Sequence, residues 1–233
     1  MLRQVARRAI LEAHLSEPQF TNGPLSGLAN ILNGLSNSPA FNRALAPAEV
    51  DSFGSQGVVV PTLDYGLILK YLRSTGQVWY SHLDFNIPFG AFILPPYGQS
   101  PLSFDLDKRT YSVKTSHPGN SAIQFKLPAN EATTKTGHIK KIWQFAINGH
   151  VQTIVAVEAH KLLRANWRKK LAYETMPLFN ISVVESNPSR ETYIIEPRHI
   201  LTHVTVFKCP ADSYGVKPEF MLVCTSLNRG RRA

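Results

Sequence analysis

The sequence predicts an α+β fold that is mainly β: a small twisted β-barrel or half-open sheet with helices at its N-terminal side. The first observation is a change of pattern near Gly76. There, helical spacing of apolar residues gives way to short runs rich in β-branched and aromatic residues, which prolines separate. The second is the dipeptide Asn148-Gly149, which is flanked by strand-like runs and is typical of a two-residue hairpin turn.

Local patterns divide the chain into two predicted domains. Apolar residues recur at helical spacing near the start, and Pro18 ends this helix. We predict a helical N-terminal segment over residues 1–57, and a domain with one helix and the β-structure over residues 58–230. An arginine-rich, acid-poor start is also typical of a mitochondrial transit peptide, although Glu12 and Glu17 come early.

The second domain is predicted to begin with a helix that ends at a glycine. Thr62 is of the type that caps helix N-termini, and Leu63, Leu67 and Tyr71 follow at four-residue spacing. Gly76 can adopt the left-handed conformation that ends helices. Beyond it, besides the hairpin, strands are predicted at Gln77–Tyr80, Ala91–Leu94, Ser121–Phe125, Leu178–Val184, Thr192–Ile195, Ile200–Lys208 and Phe220–Leu227.

A hairpin over residues 139–159 is the strongest local prediction. A two-residue turn at Asn148-Gly149 places Ile147 opposite His150, Phe145 opposite Gln152 and Trp143 opposite Ile154. One face then carries Ile139, Trp143, Phe145, Ile147 and Ile154, and the other carries Ile142, Ala146, Val151, Val155 and Val157. Because neither face is cleanly polar, the hairpin is expected to be covered on both sides.

Composition excludes several classes of protein. Of the 233 residues 43% are hydrophobic and 18% charged, which excludes a wholly disordered chain, and no apolar run is long enough for a transmembrane helix. Two cysteines are too few for a disulfide-built secreted scaffold, so an intracellular protein without a signal peptide or a membrane partner is expected. A net charge of +9 makes contact with phosphates or acidic tails plausible.

The candidate binding site is a basic segment around a tryptophan. Between Lys161 and Lys170 there are five cations and no acid. Basic residues interleaved with an aromatic ring suit contact with nucleic acid, whose phosphates attract the cations and whose bases stack on the ring. The predicted nucleic-acid-binding residues are Lys161, Arg164, Trp167, Arg168, Lys169 and Lys170. The alternative is a solvated loop whose tryptophan packs under the sheet.

Two other groups of residues are candidates for chemistry. His199, His203, Cys209 and Cys224 are of types that bind zinc, but they lack a close C-x-x-C pair, so buried cysteines on neighbouring strands and a core histidine are favoured. Neither a metal nor a cofactor is predicted. Trp79, Trp143, Trp167, Tyr80 and Tyr173 could line a peptide groove or a methyl-lysine cage, but Trp79 and Trp143 are expected in the core.

Phrases scattered over about 170 residues resemble proteins encoded by DNA transposons of mushroom-forming fungi, of the Kyakuja–Dileera–Zisupton and CACTA-like group. The segments are Leu63–Leu72, Ile87–Pro96, Asn120-Ser121, Gly137–Ile142, Pro197–His203 and Leu227–Arg229. Gly137–Ile142, the hairpin, Glu191–Glu196 and Ile200 also resemble a bromo-adjacent-homology (BAH) domain, a β-barrel of chromatin proteins. This resemblance implies a nuclear, transposon-derived module that associates with chromatin proteins or nucleic acid, and it supplies no ligand residues.

Two functions from different classes follow. The first is a non-catalytic binding module for chromatin proteins or nucleic acid. The second is the tail of a transposase that assists metal-dependent strand cleavage or joining, for which Asp105, Asp107 and Glu158 would be the first acids to test. A transposon relic that folds without a role is a third possibility.

Overall fold

The structure, a computed structural model, describes residues 57–147, 150–175, 180–187, 189 and 191–225. Its helices are α1 (Thr62–Ser74), α2 (Pro118–Ser121) and α3 (Ala165–Arg168). The predicted N-terminal helical segment lies outside the described residues except for Gly57, as do the last residues of the predicted second domain. Among the described residues, no helix is long and apolar enough to cross a membrane.

Strands dominate the described part of the chain, which confirms an α+β fold that is mainly β. The strands are β1 (Val58–Val59), β2 (Trp79–Ser81), β3 (Phe92–Leu94), β4 (Tyr97–Gly98), β5 (Ser103–Leu106), β6 (Arg109–Ser112), β7 (Ala122–Leu127), β8 (Asn130–Ile147), β9 (His150–Ala159), β10 (Ile181–Glu185), β11 (Thr192–Ile195), β12 (Ile200–His203), β13 (Thr205–Cys209) and β14 (Phe220–Cys224).

A five-stranded antiparallel sheet, in the order β11-β9-β8-β7-β12, forms the centre of the fold. β8 and β9 pair in the predicted register, with Ile147 opposite His150, Phe145 opposite Gln152 and Trp143 opposite Ile154. This register confirms the predicted pairing of the hairpin. The turn residues Asn148 and Gly149 themselves lie outside the described residues.

One residue of the hairpin lies on the face opposite to the predicted one. The register of β8 against β9 shifts between Ile139 and Lys141, as at a β-bulge, which reverses the alternation of side chains along β8. Ile139 consequently packs with Ile142, and the prediction that it shares the face of Trp143 is wrong.

Each face of the sheet is covered, as the apolar hairpin requires. On one face α1 packs over strands β8 and β9 in a cluster that includes Tyr65, Ile68, Leu72, Trp79, Trp143, Phe145 and Ile154. On the other face the hairpin β5–β6 packs over the sheet in a cluster that includes Phe104, Tyr111, Phe125, Ile139, Ile142 and Val155. Trp79 and Trp143 are thus core residues, as predicted.

A second sheet, in the order β10-β14-β13, follows the first along the chain. The run Ile200–Lys208, predicted as one strand, is divided at Val204, whose N–H donates to the Ala122 carbonyl at 2.9 Å. β12 therefore pairs with the five-stranded sheet and β13 with the three-stranded one. Ala122, Val184, Val204, Met221 and Val223 form the buried cluster that joins the two sheets.

No closed barrel is found among the described residues. β11 and β12 remain the outer strands of the five-stranded sheet, and the chain leaves β12 to build the second sheet instead of closing the first. Shorter pairings, antiparallel β1–β4, parallel β2–β3 and antiparallel β5–β6, surround this core.

Candidate nucleic-acid interface

The predicted basic segment connects the two sheets. β9 ends at Ala159, and the chain then runs beside β10, where the Leu163 N–H donates to the Val183 carbonyl at 3.0 Å and the Glu185 N–H donates to the Lys161 carbonyl at 2.8 Å. The helix α3 follows at once. These bonds fix where the segment begins, so its side chains have a defined position on the three-stranded sheet.

The predicted basic residues differ in how far they are exposed and paired. Lys161 is exposed but forms an ion pair of 2.9 Å with Glu185. Arg168 is half-buried. Arg164 and Lys169 are exposed at the two ends of α3.

Trp167 is both packed against the sheet and partly open to solvent, which the sequence left as alternatives. Its ring packs against a buried cluster of the three-stranded sheet that includes Leu163, Leu171 and Val183, yet the side chain remains half-exposed. The Lys170 ammonium lies 4.6 Å from the centroid of this ring and donates to the Gly215 carbonyl at 3.3 Å. The buried cluster thus anchors the Trp167 side chain, and the Lys170 ammonium lies over its ring.

A groove of about 440 Å³ runs beside Trp167. Arg164 and Lys217 line it together with Trp167, and Glu185 and Glu219 line it as well. Lys217 was not predicted because it comes from the β13–β14 connection, and only the folded chain brings it to α3. The two glutamates make the groove itself electrostatically mixed. The positive surface is the adjoining set of exposed cations on α3 and directly after it, Arg164, Lys169 and Lys170, which we call the rim.

The four candidate zinc ligands are not brought together. Cys224 pairs with Thr205 and Cys209 pairs with Phe220, which puts the cysteines four residues apart along the ladder, about 13 Å. The His203 ring stacks on Tyr111 with centroids 4.2 Å apart, and the His199 Nδ1 accepts the Glu196 N–H at 3.2 Å. Burial lowers the pKa of His199, an effect to which the nearby Arg198 adds. The described residues contain no group of three or more histidine, cysteine or acidic side chains that could hold a metal ion.

The acids of the alternative function have local partners. Asp105 accepts the Thr110 hydroxyl at 2.6 Å within the hairpin β5–β6, and Asp107 lies in the turn of that hairpin. Glu158, on β9, is 3.7 Å from the Lys140 ammonium.

Comparison with known proteins gives no relative for this site. No protein-family model, no curated protein and no solved structure matches the chain.

Proposed function

We propose that this chain is a non-catalytic binding module that contacts nucleic acid through the rim around Trp167. The observation that carries the proposal is the cluster of exposed cations, Arg164, Lys169 and Lys170, around an anchored and half-exposed indole ring. Cations beside an aromatic platform match a phosphate backbone with stacked bases, and they require no particular base sequence.

The mixed charge of the groove favours one mode of contact. Glu219 would repel a phosphate inside the groove, and Glu185 there is paired with Lys161, whereas Arg164 and Lys169 are exposed beside the groove. We therefore expect the backbone to follow the rim and a base to approach Trp167. Such contacts release counterions, so the affinity falls as salt rises.

The proposal extends to the cellular location and protein partners of the module. The phrases that resemble BAH domains and fungal transposon proteins support a nuclear module that associates with chromatin proteins as well as nucleic acid.

The first test compares two double variants of equal charge. Arg164→Ala with Lys169→Ala removes two rim cations, and Lys70→Ala with Lys140→Ala removes two exposed cations from α1 and β8. In fluorescence-anisotropy titrations of a labelled single strand and a labelled duplex over a range of salt, the first pair should lower the magnitude of the salt slope by about two. The second pair should leave the slope unchanged.

Two results would remove the proposal. One is the absence of saturable binding to either nucleic acid at low salt. The other is an equal loss of affinity in both double variants, since that would trace binding to net charge alone. Quenching of indole fluorescence gives a second readout, because Trp79 and Trp143 are buried and Trp167 is half-exposed. Trp167→Phe should abolish quenching by the single strand.

A further inference from the structure

A cleft of about 820 Å³ lies between the two sheets, apart from the rim around Trp167. Its walls include Thr134, Thr136, His160, Ile181, Ser182 and Thr225. The volume is within the range of about 300–1,000 Å³ that holds a small ligand or a short chain segment.

The walls of this cleft include edges of strands, together with Gln124 from the inner strand β7. A sheet face contributes every second residue to a surface, whereas an edge contributes successive ones. Thr133–Thr136 of β8 all line the cleft, and so do His160–Leu162 and Asn180–Ser182. The surface offered to a ligand therefore contains backbone as well as side chains.

From Glu131 to Thr134 the backbone of β8 pairs with no described strand on this side, and the Ala132 N–H donates to the Asn130 side chain at 3.2 Å. β9 pairs with β8 only as far as Gly137, and β7 occupies the other side of β8 over residues 130–138. Within the described residues, no strand continues the pairing of β9 past Gly137. The exposed strand from Glu131 to Thr134 is consequently an open edge.

The direction of the open groups follows from one hydrogen bond. The His160 N–H donates to the Thr136 carbonyl at 2.8 Å, so the N–H and C=O of Thr136 point away from β7. Backbone direction repeats every two residues in a strand, and the N–H and C=O of Thr134 therefore point into the cleft as well. Thr134 offers both a donor and an acceptor.

We propose that this cleft binds an extended, uncharged peptide segment, which adds to β8 as a further strand at Thr134. A peptide is the polymer that presents N–H and C=O groups at the period of a strand edge. The cleft has space for one segment rather than for the folded sheet of a second copy. The peptide is expected to be uncharged because Lys161 is paired with Glu185, and Lys135 is paired with Glu191 at 3.4 Å.

The experiment selects short peptides from a random displayed library on the full chain and measures their affinity by anisotropy. Thr134→Pro removes the N–H that points into the cleft, while the N–H groups that pair with β7 belong to the neighbouring residues. This variant should weaken a selected peptide about tenfold or more. The matched variant Thr134→Val keeps the N–H and loses only the hydroxyl, so its affinity should stay within about twofold of the parent.

A second arm does not depend on the folding of the proline variant. A selected peptide is N-methylated either at its odd-numbered or at its even-numbered residues, which removes the N–H donors from one edge of the extended peptide and keeps them on the other. Only one of these two methylation patterns should bind the parent protein. Binding should also change little with salt, which separates this site from the proposed nucleic-acid interface.

Three results would overturn the proposal. They are failure to select any peptide, equal binding of a selected peptide to Thr134→Pro that is folded by circular dichroism, and equal binding of both methylation patterns. A concentration-dependent dimer that Thr134→Pro abolishes would assign the edge to a second copy instead.

Discussion

His138 and His160 form an edge-to-face pair at the end of β9, with ring centroids 5.0 Å apart. The Nδ1 atom of His138 is 2.9 Å from the Ser121 hydroxyl, and that of His160 is 3.0 Å from the Thr136 hydroxyl. Burial, with repulsion from His160, Lys114 and Lys208, lowers the pKa of His138 to about 3. Burial, with repulsion from Lys114, lowers the pKa of His160 to about 4.

This pair predicts a loss of stability in mild acid. In the unfolded chain both rings take up a proton near their ordinary pKa of 6.5, whereas the folded protein keeps them neutral down to about pH 4. Acid therefore favours the unfolded chain, and the stability present above about pH 6.5 is lost as the pH falls toward 4. From about pH 7 to about pH 5 the pair should lower the free energy of unfolding by roughly 2–4 kcal/mol.

Urea unfolding at a series of pH values checks this prediction. His160→Gln should remove about half of the dependence. Parallel stability curves for the parent and His160→Gln would contradict it.

Single residues also show where sequence patterns stop being informative. A Cβ added at Gly137 would lie 2.5 Å from the Glu158 carbonyl oxygen, so the close approach of β9 to β8 requires glycine there. Nothing in the sequence around Gly137 predicts this requirement, because the approach exists only once β9 lies beside it. The bulge that moves Ile139 to the other face likewise leaves no mark in the alternation of residues.

At the scale of elements, α1 shows how a correct helix can be assigned the wrong face. The helix spans Thr62–Ser74, and Gly76 follows it with a φ of 88°, as predicted. Pro61, not Thr62, is the N-cap residue. Of the predicted stripe only Tyr71 is buried, while Leu63 is 84% exposed. The buried residues Tyr65, Ile68, Leu69 and Leu72 follow the i, i+3, i+4, i+7 spacing, which competes with the predicted stripe in a helix that is apolar on several sides.

The predicted stripe and the observed buried stripe of α1 lead to opposite expectations for mutation. Ile68 is fully buried against the cluster beneath α1, so Ile68→Ala should lower the free energy of unfolding by about 2–5 kcal/mol. Leu63→Ala should change it by less than about 0.5 kcal/mol. Urea unfolding followed by tryptophan fluorescence measures both, because Trp79 and Trp143 belong to the same cluster. Equal costs at the two positions would contradict the observed orientation of α1.

The hairpins β8–β9 and β5–β6 differ in how well their turn residues predict the turn. Asn148-Gly149 is a preferred dipeptide for a two-residue turn, and it predicts the register of β8 and β9 correctly. The hairpin β5–β6 turns through Asp107 and Lys108, whose φ values are 49° and 61°. An Asp-Lys pair is not a preferred sequence for this left-handed turn, so β5 and β6 were not predicted.

At the scale of the whole molecule, the candidate sites depend on chain segments that are distant in sequence. The basic segment 161–170 was predicted because its charges are contiguous, whereas Lys217 reaches the same groove from the β13–β14 connection. The peptide cleft has no motif at all, since an open strand edge arises from where β9 stops pairing. A contiguous run of charge can be recognised in a single sequence, whereas the point at which one strand stops pairing with its neighbour cannot.

The link between the two sheets predicts that they unfold together. Val204 passes the chain from one sheet to the other, and the cluster around Met221 and Val223 is fully or nearly fully buried between them. Exposing this cluster would cost both sheets apolar burial, so neither is expected to persist alone. Val223→Ala should therefore lower the stability of both sheets equally, by about 1–3 kcal/mol.

The chain carries its own probe for each sheet. Cys209 and Cys224, the two cysteines of the sequence, are buried in the three-stranded sheet, and in a Trp167→Phe background the remaining tryptophans report on the cluster beneath α1. Thiol labelling and indole fluorescence should give the same urea midpoint in the parent and should shift together in Val223→Ala. Phe207→Thr, at a position of β13 that is 58% exposed, serves as the surface control and should move neither midpoint appreciably. Thiols that react before the fluorescence changes would show that the three-stranded sheet opens by itself, and the wall of the cleft formed by β10 would then open with it.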